Sequence, residues 1–309
     1  MSVPTTVPET HGQTGDDARE QLRRSGVRSL ALRAARRFHA ADGTSYARAL
    51  GLASVLSVLP GLVAIAGVVS AFGLEERGLL ARSLQTLAPG PAGRILLSGV
   101  SEGDTGAAAI AWGVAGTVLS GTLAMVHLER GANRIYGVDE HRSGRQRFGV
   151  AFALAATAGL VLLLALFVVT AGEATAGSPA GTAWTLLRWP VAVVMVGAPM
   201  TAIFRFAPNR RQPNTSWLLS GTVVAVALWL LVTVLLGLTY ENVSAPGSTF
   251  GPILGVIALL VWAHLTGAAV LYGLAFAAEL ESERAGQPRP ERDAETSENA
   301  PAESAAVSS

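Results

Sequence analysis

The sequence lacks cysteine altogether, and all 23 of its basic residues are arginine, so lysine is absent as well. The absence of cysteine excludes disulfides, zinc ribbons and thiol catalysis. Charge is also scarce, because 15% of the 309 residues are charged whereas half are apolar, and the mean hydropathy is +0.42. The apolar residues lie in long blocks, which is typical of an integral membrane protein and excludes an ordinary soluble domain.

Two long uncharged segments, residues 216–240 and 251–278, lie near the end of the chain. A helix needs about 20 apolar residues to cross the roughly 30 Å hydrocarbon core of a bilayer, so each segment is long enough to span it. The ten residues between them contain Glu241, Pro246 and Gly247. This pattern predicts a transmembrane hairpin.

Four further spans are predicted upstream, at about residues 45–72, 106–126, 148–171 and 184–204. The predicted fold class is therefore all-α, with an integral membrane domain of six transmembrane helices over residues 45–280. Pro60 lies in the middle of the first span and removes the amide that would bond one turn back, so we expect a kink or a broken helix there. A broken helix would point bare backbone groups at a substrate, as in transporters, and a kink without a binding role is the alternative.

The segments that flank this domain have a different composition. Residues 1–22 and the acidic tail 281–309 contain little to bury, so both are predicted to be disordered. Residues 23–40 place apolar side chains on one helical face and arginines on the other. This suits a basic amphipathic helix on anionic lipid, where each arginine contributes on the order of 1 kcal/mol; a solvated helix docked on the rest of the protein is the alternative. The loop 73–105 is predicted to form an external cap or a lid.

Arginine is distributed unevenly between the predicted loops. The segment before residue 45 holds seven arginines, the loop 128–147 five and the turn 205–215 three, whereas the loops after spans three and five hold none. The loop 73–105 has three, but four acidic residues compensate for them. Because positively charged loops stay in the cytoplasm, both termini are predicted to be cytoplasmic. The same rule accounts for the basic loops, so no nucleic-acid partner is predicted.

Four motifs carry a resemblance to a known family: Phe206-Ala-Pro-Asn-Arg210, which is the most specific, Arg130-Gly-Ala-Asn-Arg-Ile-Tyr136, Ser54-Val-Leu-Ser-Val-Leu-Pro60 and Ala278-Glu279. With them the sequence resembles the YihY/BrkB family of bacterial inner-membrane proteins, over about residues 35–280. Members of that family were once labelled ribonuclease BN, and others are linked to serum resistance. The resemblance implies a multi-pass inner-membrane protein that transports a small solute, ion or lipid. A non-transporting scaffold for envelope maintenance or partner binding is the alternative.

Ionisable groups inside a membrane are costly and are functional candidates by default. His264 stands about 13 residues into the sixth span, roughly 20 Å along its axis. Because histidine side chains titrate near neutral pH, it is able to carry a proton or contact a substrate. A neutral histidine bonded to a threonine or a backbone carbonyl is the alternative. The resembling family usually has Trp-Leu-Tyr here, so Ala263-His264 departs from the pattern and receives no shared family role.

Glu279 lies at the cytoplasmic end of the sixth span, where the resembling family typically has Gly-Ala-Glu. A carboxylate at that depth is stabilised by a guanidinium, and Arg130 or Arg134 at the end of the second span is the predicted partner. Asn133 stands between them in the same motif and completes the candidate set with Pro60. These residues form either a charge clasp that ties helix ends together or a coupling-ion or substrate site at the inner mouth.

Catalysis finds no support in the residues. The five histidines are scattered and the predicted spans hold almost no acidic residue, so no metal-binding or catalytic group converges. No phosphate-binding loop, Gly-x-Ser-x-Gly or His-Glu-x-x-His motif occurs. The sequence therefore predicts a non-enzymatic protein without cofactor or metal.

Because the chain has no cysteine, single introduced cysteines test the predicted topology directly. Cysteines placed at Ser178 and Ser248 should react with a membrane-impermeant maleimide added to intact cells. A cysteine placed at Ser143 should react only after the membrane is permeabilised. The opposite labelling pattern would overturn the predicted orientation.

Overall fold

The computed structural model describes residues 6–9, 15–71, 107–139, 142–173, 179–212, 215–242 and 247–285. In these residues the chain forms eight α-helices and no β-strand, which confirms the all-α class. The helices are α1 (Gly15–Ser25), α2 (Val27–Ala40), α3 (Gly43–Ala71), α4 (Ala107–Tyr136), α5 (Gly144–Glu173), α6 (Pro179–Phe206), α7 (Thr215–Asn242) and α8 (Gly247–Ala285). The loop 73–105, predicted as a cap or lid, lies outside the described residues.

The six long helices α3 to α8 coincide with the six predicted apolar segments. Within the described part of the chain, three stretches are long and apolar enough to cross a membrane: Ile110–Tyr136 of α4, Ser216–Thr239 of α7 and Leu254–Ala285 of α8. A shorter apolar stretch, Val193–Phe206, belongs to α6. The structure therefore provides three candidate membrane spans, and the total of six stays a prediction.

The long helices pack as a closed ring. Each of α3 to α8 contacts the next helix along the chain, α3 also contacts α8, and α4 touches α8. The last turns of α4, α6 and α8 lie at the same end of the ring as the first turns of α3, α5 and α7, because side chains of these turns contact one another. We call this the arginine-rich end, since the predicted basic segments all lie there.

Glycine residues let the backbones of neighbouring helices touch. A Cβ added to Gly273 of α8 would lie 2.5 Å from the carbonyl oxygen of Gly221 on α7. A Cβ added to Gly267 of α8 would lie 2.7 Å from the carbonyl oxygen of Ala47 on α3, and Gly51 of α3 meets the α8 backbone in the same way. Lipid gives helices little hydrophobic reason to associate, so such close contact supplies much of their packing energy. Helices α3, α7 and α8 therefore form one tightly packed unit.

The two N-terminal helices are docked on this unit. Leu30 and Ala34 of α2 are fully buried in a small core with Trp217 of α7 and Leu280 of α8. The hydroxyl group of Tyr272 on α8 also donates a hydrogen bond of 2.9 Å to a backbone carbonyl of α2. Helix α2 is thus docked on the rest of the protein, which was the alternative to a helix lying on lipid. Its binding to anionic lipid stays a prediction.

The described residues differ from the predicted disorder at both termini. Helix α1 begins inside the segment 1–22, and Val7 in the same segment is only 3% exposed. Helix α8 continues to Ala285, and Glu281 at the predicted start of the tail is 1% exposed. Composition misses these contacts because one or two buried side chains are enough to anchor a segment that is otherwise polar.

The close contact between α7 and α8 can be tested with Gly221→Ala. The added methyl group would meet the carbonyl group of Gly273, so the two helices would have to separate. We expect a loss of about 1–3 kcal/mol in the free energy of unfolding, as for other overpacked cores. Thermal unfolding of the purified protein in detergent measures the loss.

The matched control is Gly159→Ala on α5, where an added Cβ has no neighbour within 4 Å. At an open helical position, alanine is more stable than glycine by about 0.5–1 kcal/mol. Equal stability of the two variants would contradict the described packing of α7 on α8.

Candidate functional site

Buried charges collect at the arginine-rich end of the ring. Three carboxylates and four guanidinium groups form three separate sets of ion pairs there, and we call them together the ionic cluster: Glu129, Glu279, Glu281, Arg37, Arg142, Arg147 and Arg210. Charged side chains are seldom buried unless they are paired. The exposures of Glu129 and Glu281, 2% and 1%, make this cluster the strongest candidate site among the described residues.

The first pair of the cluster joins the turn after α6 to the end of α8. Arg210 donates from Nη2 to Oε1 of Glu281 over 2.7 Å, and its side chain is 4% exposed. Its guanidinium carbon also lies 4.6 Å from the ring centre of Tyr136, which is completely buried at the end of α4. Arginine is suited to this position because its flat guanidinium group hydrogen-bonds a carboxylate and stacks on an aromatic face at once.

The second pair joins α2 to α8 and corrects a sequence prediction. Glu279 pairs with Arg37, whose side chain is 5% exposed and whose Nη1 also donates to the carbonyl oxygen of Ile135 over 3.0 Å. Arg130 and Arg134, the predicted partners, have exposed side chains. Both predicted partners lie within the membrane domain, whereas Arg37 lies before it and reaches Glu279 because α2 docks on α8.

Asn133 connects two of the four motifs, Arg130–Tyr136 and Phe206–Arg210. It is 3% exposed, and its Oδ1 accepts a hydrogen bond of 2.7 Å from the backbone amide of Asn209 in the turn after α6. Arg142 holds the other side of that turn by donating to the carbonyl oxygens of Phe206, Ala207 and Pro208 over 3.0 to 3.2 Å. The last carbonyls of a helix have no partner within it, so Arg142 satisfies that of Phe206 at the end of α6 together with those of the two residues that follow.

The third carboxylate, Glu129, is held more loosely than the other two. Its oxygens lie 3.4 Å from Nη1 of Arg142 and 3.7 Å from Nε of Arg147. Charge-assisted hydrogen bonds between such groups measure about 2.7–2.9 Å. Neither oxygen accepts a hydrogen bond from a described residue, although both are buried. Glu129 therefore has two electrostatic partners, and no hydrogen bond from a described residue fixes the position of its carboxylate.

Two of the predicted site residues lie away from the ionic cluster. His264 precedes Glu279 by 15 residues, which is about 22 Å along α8. Its Nδ1 is buried and finds no hydrogen-bond partner among the described residues. The threonine or backbone partner expected for a structural histidine is therefore not found at this nitrogen.

Pro60 packs against the glycine-rich face of α4. A Cβ added to Gly116 would lie 3.0 Å from the Cβ of Pro60, and one added to Gly113 would lie 2.7 Å from the Pro60 carbonyl oxygen. Helix α3 runs through Pro60 without interruption, so the broken-helix alternative is wrong for this residue. The lost hydrogen bond is tolerated in a membrane helix because neighbouring helices hold the backbone in place.

Comparisons with known proteins give consistent matches. A family model described as "Virulence factor BrkB" matches residues 34–298. The ribonuclease-like protein YfkH of Bacillus subtilis is 24% identical over 173 residues, which cover 53% of this chain and 62% of that protein. A UPF0761 membrane protein of Rhodospirillum rubrum is 29% identical over 251 residues, which cover 76% of this chain and 54% of that protein. The chain thus spans little more than half the length of these relatives. No solved structure matches it significantly.

Glu281→Gln tests the buried pair by removing its negative charge while keeping the shape of the side chain. Loss of one partner of a buried pair typically costs about 3–5 kcal/mol, because the other charge stays buried without compensation. We expect a loss of that size in thermal unfolding in detergent. Arg210→Gln and the double variant complete the set. The stability loss of the double variant minus the losses of the two single variants gives the coupling energy between the side chains.

The matched control for this pair is Glu20→Gln on α1. Glu20 pairs with Arg24 one turn along the same helix, and its side chain is 56% exposed. Exposed pairs contribute about 0–1 kcal/mol, so this variant should unfold almost as the natural chain does. A similarly small loss in Glu281→Gln would count against a buried ion pair.

Proposed function

The chain belongs to the BrkB family of membrane proteins, and from that premise we propose that it is a multi-pass protein of the bacterial inner membrane that transports a small solute, ion or lipid. We propose six spans with both termini in the cytoplasm. Six long apolar helices in a closed ring support the number of spans. The arginines gathered at one end of that ring support the orientation, because basic segments stay on the cytoplasmic side.

Glu129 is the observation that carries the transport proposal. It is a buried carboxylate in a helix that qualifies as a membrane span, and its two arginine partners stand 3.4 and 3.7 Å away without a hydrogen bond. A carboxylate kept at such cost inside a membrane protein is a functional candidate by default. Transport requires a group that exchanges one partner for another, and a loosely held carboxylate exchanges an arginine for a proton or a bound cation more readily than a saturated pair does.

Polar groups deeper in the ring differ in how well their hydrogen-bonding capacity is satisfied. Thr201 of α6 and Thr222 of α7 share a hydrogen bond of 3.0 Å, and Trp262 of α8 donates to Thr233 of α7 over 3.2 Å. Such satisfied pairs hold membrane helices together. His264 differs from them because its buried Nδ1 has no partner among the described residues. We assign it the role of a second exchanging group at mid-depth.

A contact with anionic lipid at α2 forms part of the proposal. Arg28, Leu32 and Arg36 are spaced four residues apart and are exposed on the face of α2 that points away from the bundle. Two cations beside an exposed leucine suit the headgroup region of an anionic leaflet.

One set of contacts favours the alternative function, a non-transporting scaffold for envelope maintenance or partner binding. The pairs of Glu279 with Arg37 and of Glu281 with Arg210 are close and mostly buried, as expected of clasps that fix helix ends. We propose a non-enzymatic role in either case, since the chain lacks the nucleophile and phosphate-binding motifs of hydrolases. The word ribonuclease in the name of the Bacillus subtilis relative describes that protein.

Flux through liposomes that contain the purified protein tests the transport proposal. Separate vesicles report protons with an entrapped pH dye, sodium or potassium with entrapped indicators, and lipid movement with a dithionite-quenched fluorescent lipid. In the assay that shows flux, Glu129→Gln should reduce the rate at least tenfold, because an amide cannot release and rebind a proton or a cation as a carboxylate does.

The control for the flux measurement is Glu20→Gln, which makes the same chemical change at an exposed site and should leave the rate unchanged. Unchanged flux in Glu129→Gln would remove that residue from the pathway. Absence of flux in all assays for the natural chain would favour the scaffold.

A further inference from the structure

Residues 6–9 of the N-terminal segment contact Arg210 of the ionic cluster and are bonded to the end of α4. The backbone amide of Val7 donates to the carbonyl oxygen of Tyr136 over 3.1 Å. The hydroxyl group of Thr6 donates to the carbonyl oxygen of Gly137 over 3.2 Å. These carbonyl groups follow the last turn of α4 and have no partner within the helix, so the N-terminal segment satisfies them.

The opposite side of the same segment is bonded to the turn after α6. Arg210 donates from Nη1 to the carbonyl oxygen of Val7 over 3.2 Å and from Nη2 to that of Pro8 over 3.4 Å. The backbone amide of Arg211 donates to Oε1 of Glu9 over 2.9 Å. The guanidinium group that pairs with Glu281 therefore also holds the N-terminal segment.

The side chains of the segment show which features the site recognises. Val7 is 3% exposed and packs into the main core of the ring, whereas Thr6, Pro8 and Glu9 are exposed. One apolar residue in a pocket, main-chain hydrogen bonds on both sides and a carboxylate on an amide are the elements of a peptide-binding site. We call the space between Tyr136–Gly137 and Arg210–Arg211 the peptide groove.

We propose that the peptide groove is a reversible binding site that residues 6–9 fill as a plug, closing the arginine-rich end of the pathway until they leave. The inference rests on the proposed transport function for its consequence but not for the binding itself. The segment lies outside the helices and buries only the side chain of Val7. Segments with so few buried apolar contacts open at low cost compared with the whole fold. When the plug leaves, Arg210 loses two acceptors and becomes accessible beside Glu281.

A peptide-binding experiment tests the groove without any measurement of transport. A variant that lacks residues 2–9 is purified in detergent and mixed with a fluorescent peptide of residues 2–12, whose anisotropy is followed. The peptide should bind this variant saturably and bind the full chain at least tenfold more weakly, because the groove of the full chain is already filled. A peptide carrying Val7→Asp should not bind, since it would place a charge in the apolar pocket. A peptide carrying Val3→Asp makes the same valine-to-aspartate change outside residues 6–9 and should still bind.

A flux experiment tests the plug. Full-length Val7→Asp and the variant lacking residues 2–9 should each raise the rate in liposomes at least threefold, whereas full-length Val3→Asp, outside residues 6–9, should match the natural chain. Thermal unfolding of each variant establishes that it is folded. Failure of the peptide to bind the folded shortened chain would overturn the groove. If the peptide binds and the natural chain shows flux, but neither Val7→Asp nor the shortened chain raises that flux, the plug would be overturned. Absence of flux in every variant would overturn the transport proposal and leave the groove to be decided by the anisotropy result.

Discussion

Three arginines hold the arginine-rich end together, and each does so by contacting both a buried carboxylate and the main-chain carbonyls of another segment. Arg37 joins Glu279 to the last turn of α4, Arg142 joins Glu129 to the end of α6, and Arg210 joins Glu281 to the N-terminal segment. Helix ends carry unpaired carbonyls and a partial negative charge, so a cation there satisfies two needs at once. The forked guanidinium group can bond in two directions, which the single ammonium of lysine does less well.

This arrangement explains why the charged groups tolerate burial beside a membrane. A buried carboxylate costs several kcal/mol unless geometry and additional hydrogen bonds compensate for it. Glu281 has part of such compensation, because Arg210 bonds its Oε1 at 2.7 Å. Glu129 has less, because neither of its oxygens accepts a hydrogen bond from a described residue. The two carboxylates are therefore compensated to different degrees by the arginines around them.

The sequence predicted the helices well and the site only in part. Long uncharged segments determine where helices lie, so the six apolar segments agree with α3 to α8. Glu279 was a candidate for the right physical reason, but its partner Arg37 lies beyond the predicted membrane domain, and pairing between distant segments leaves no local pattern. Glu281 was placed in the tail because composition alone ended the domain there. The position of Arg210 directly after a helix end and a proline turn was a usable signal. The position of Val7 was not, since two valines in a polar segment have no periodicity to detect.

The glycine contacts divide the ring into parts of unequal stiffness. Backbone contact at Gly221 and Gly273 and at Gly267 leaves no space for sliding, so α3, α7 and α8 behave as one block. An added Cβ at Gly149 or Gly159 of α5 meets nothing within 4 Å, so α5 lacks such locks at these positions. Helix α4 joins this block, because a Cβ added to Gly113 would lie 2.7 Å from the carbonyl oxygen of Pro60. A relative movement of the described helices would therefore need the least repacking at α5. Glu129 lies at that boundary, since its partner Arg142 precedes α5 and its partner Arg147 stands in the first turn of α5.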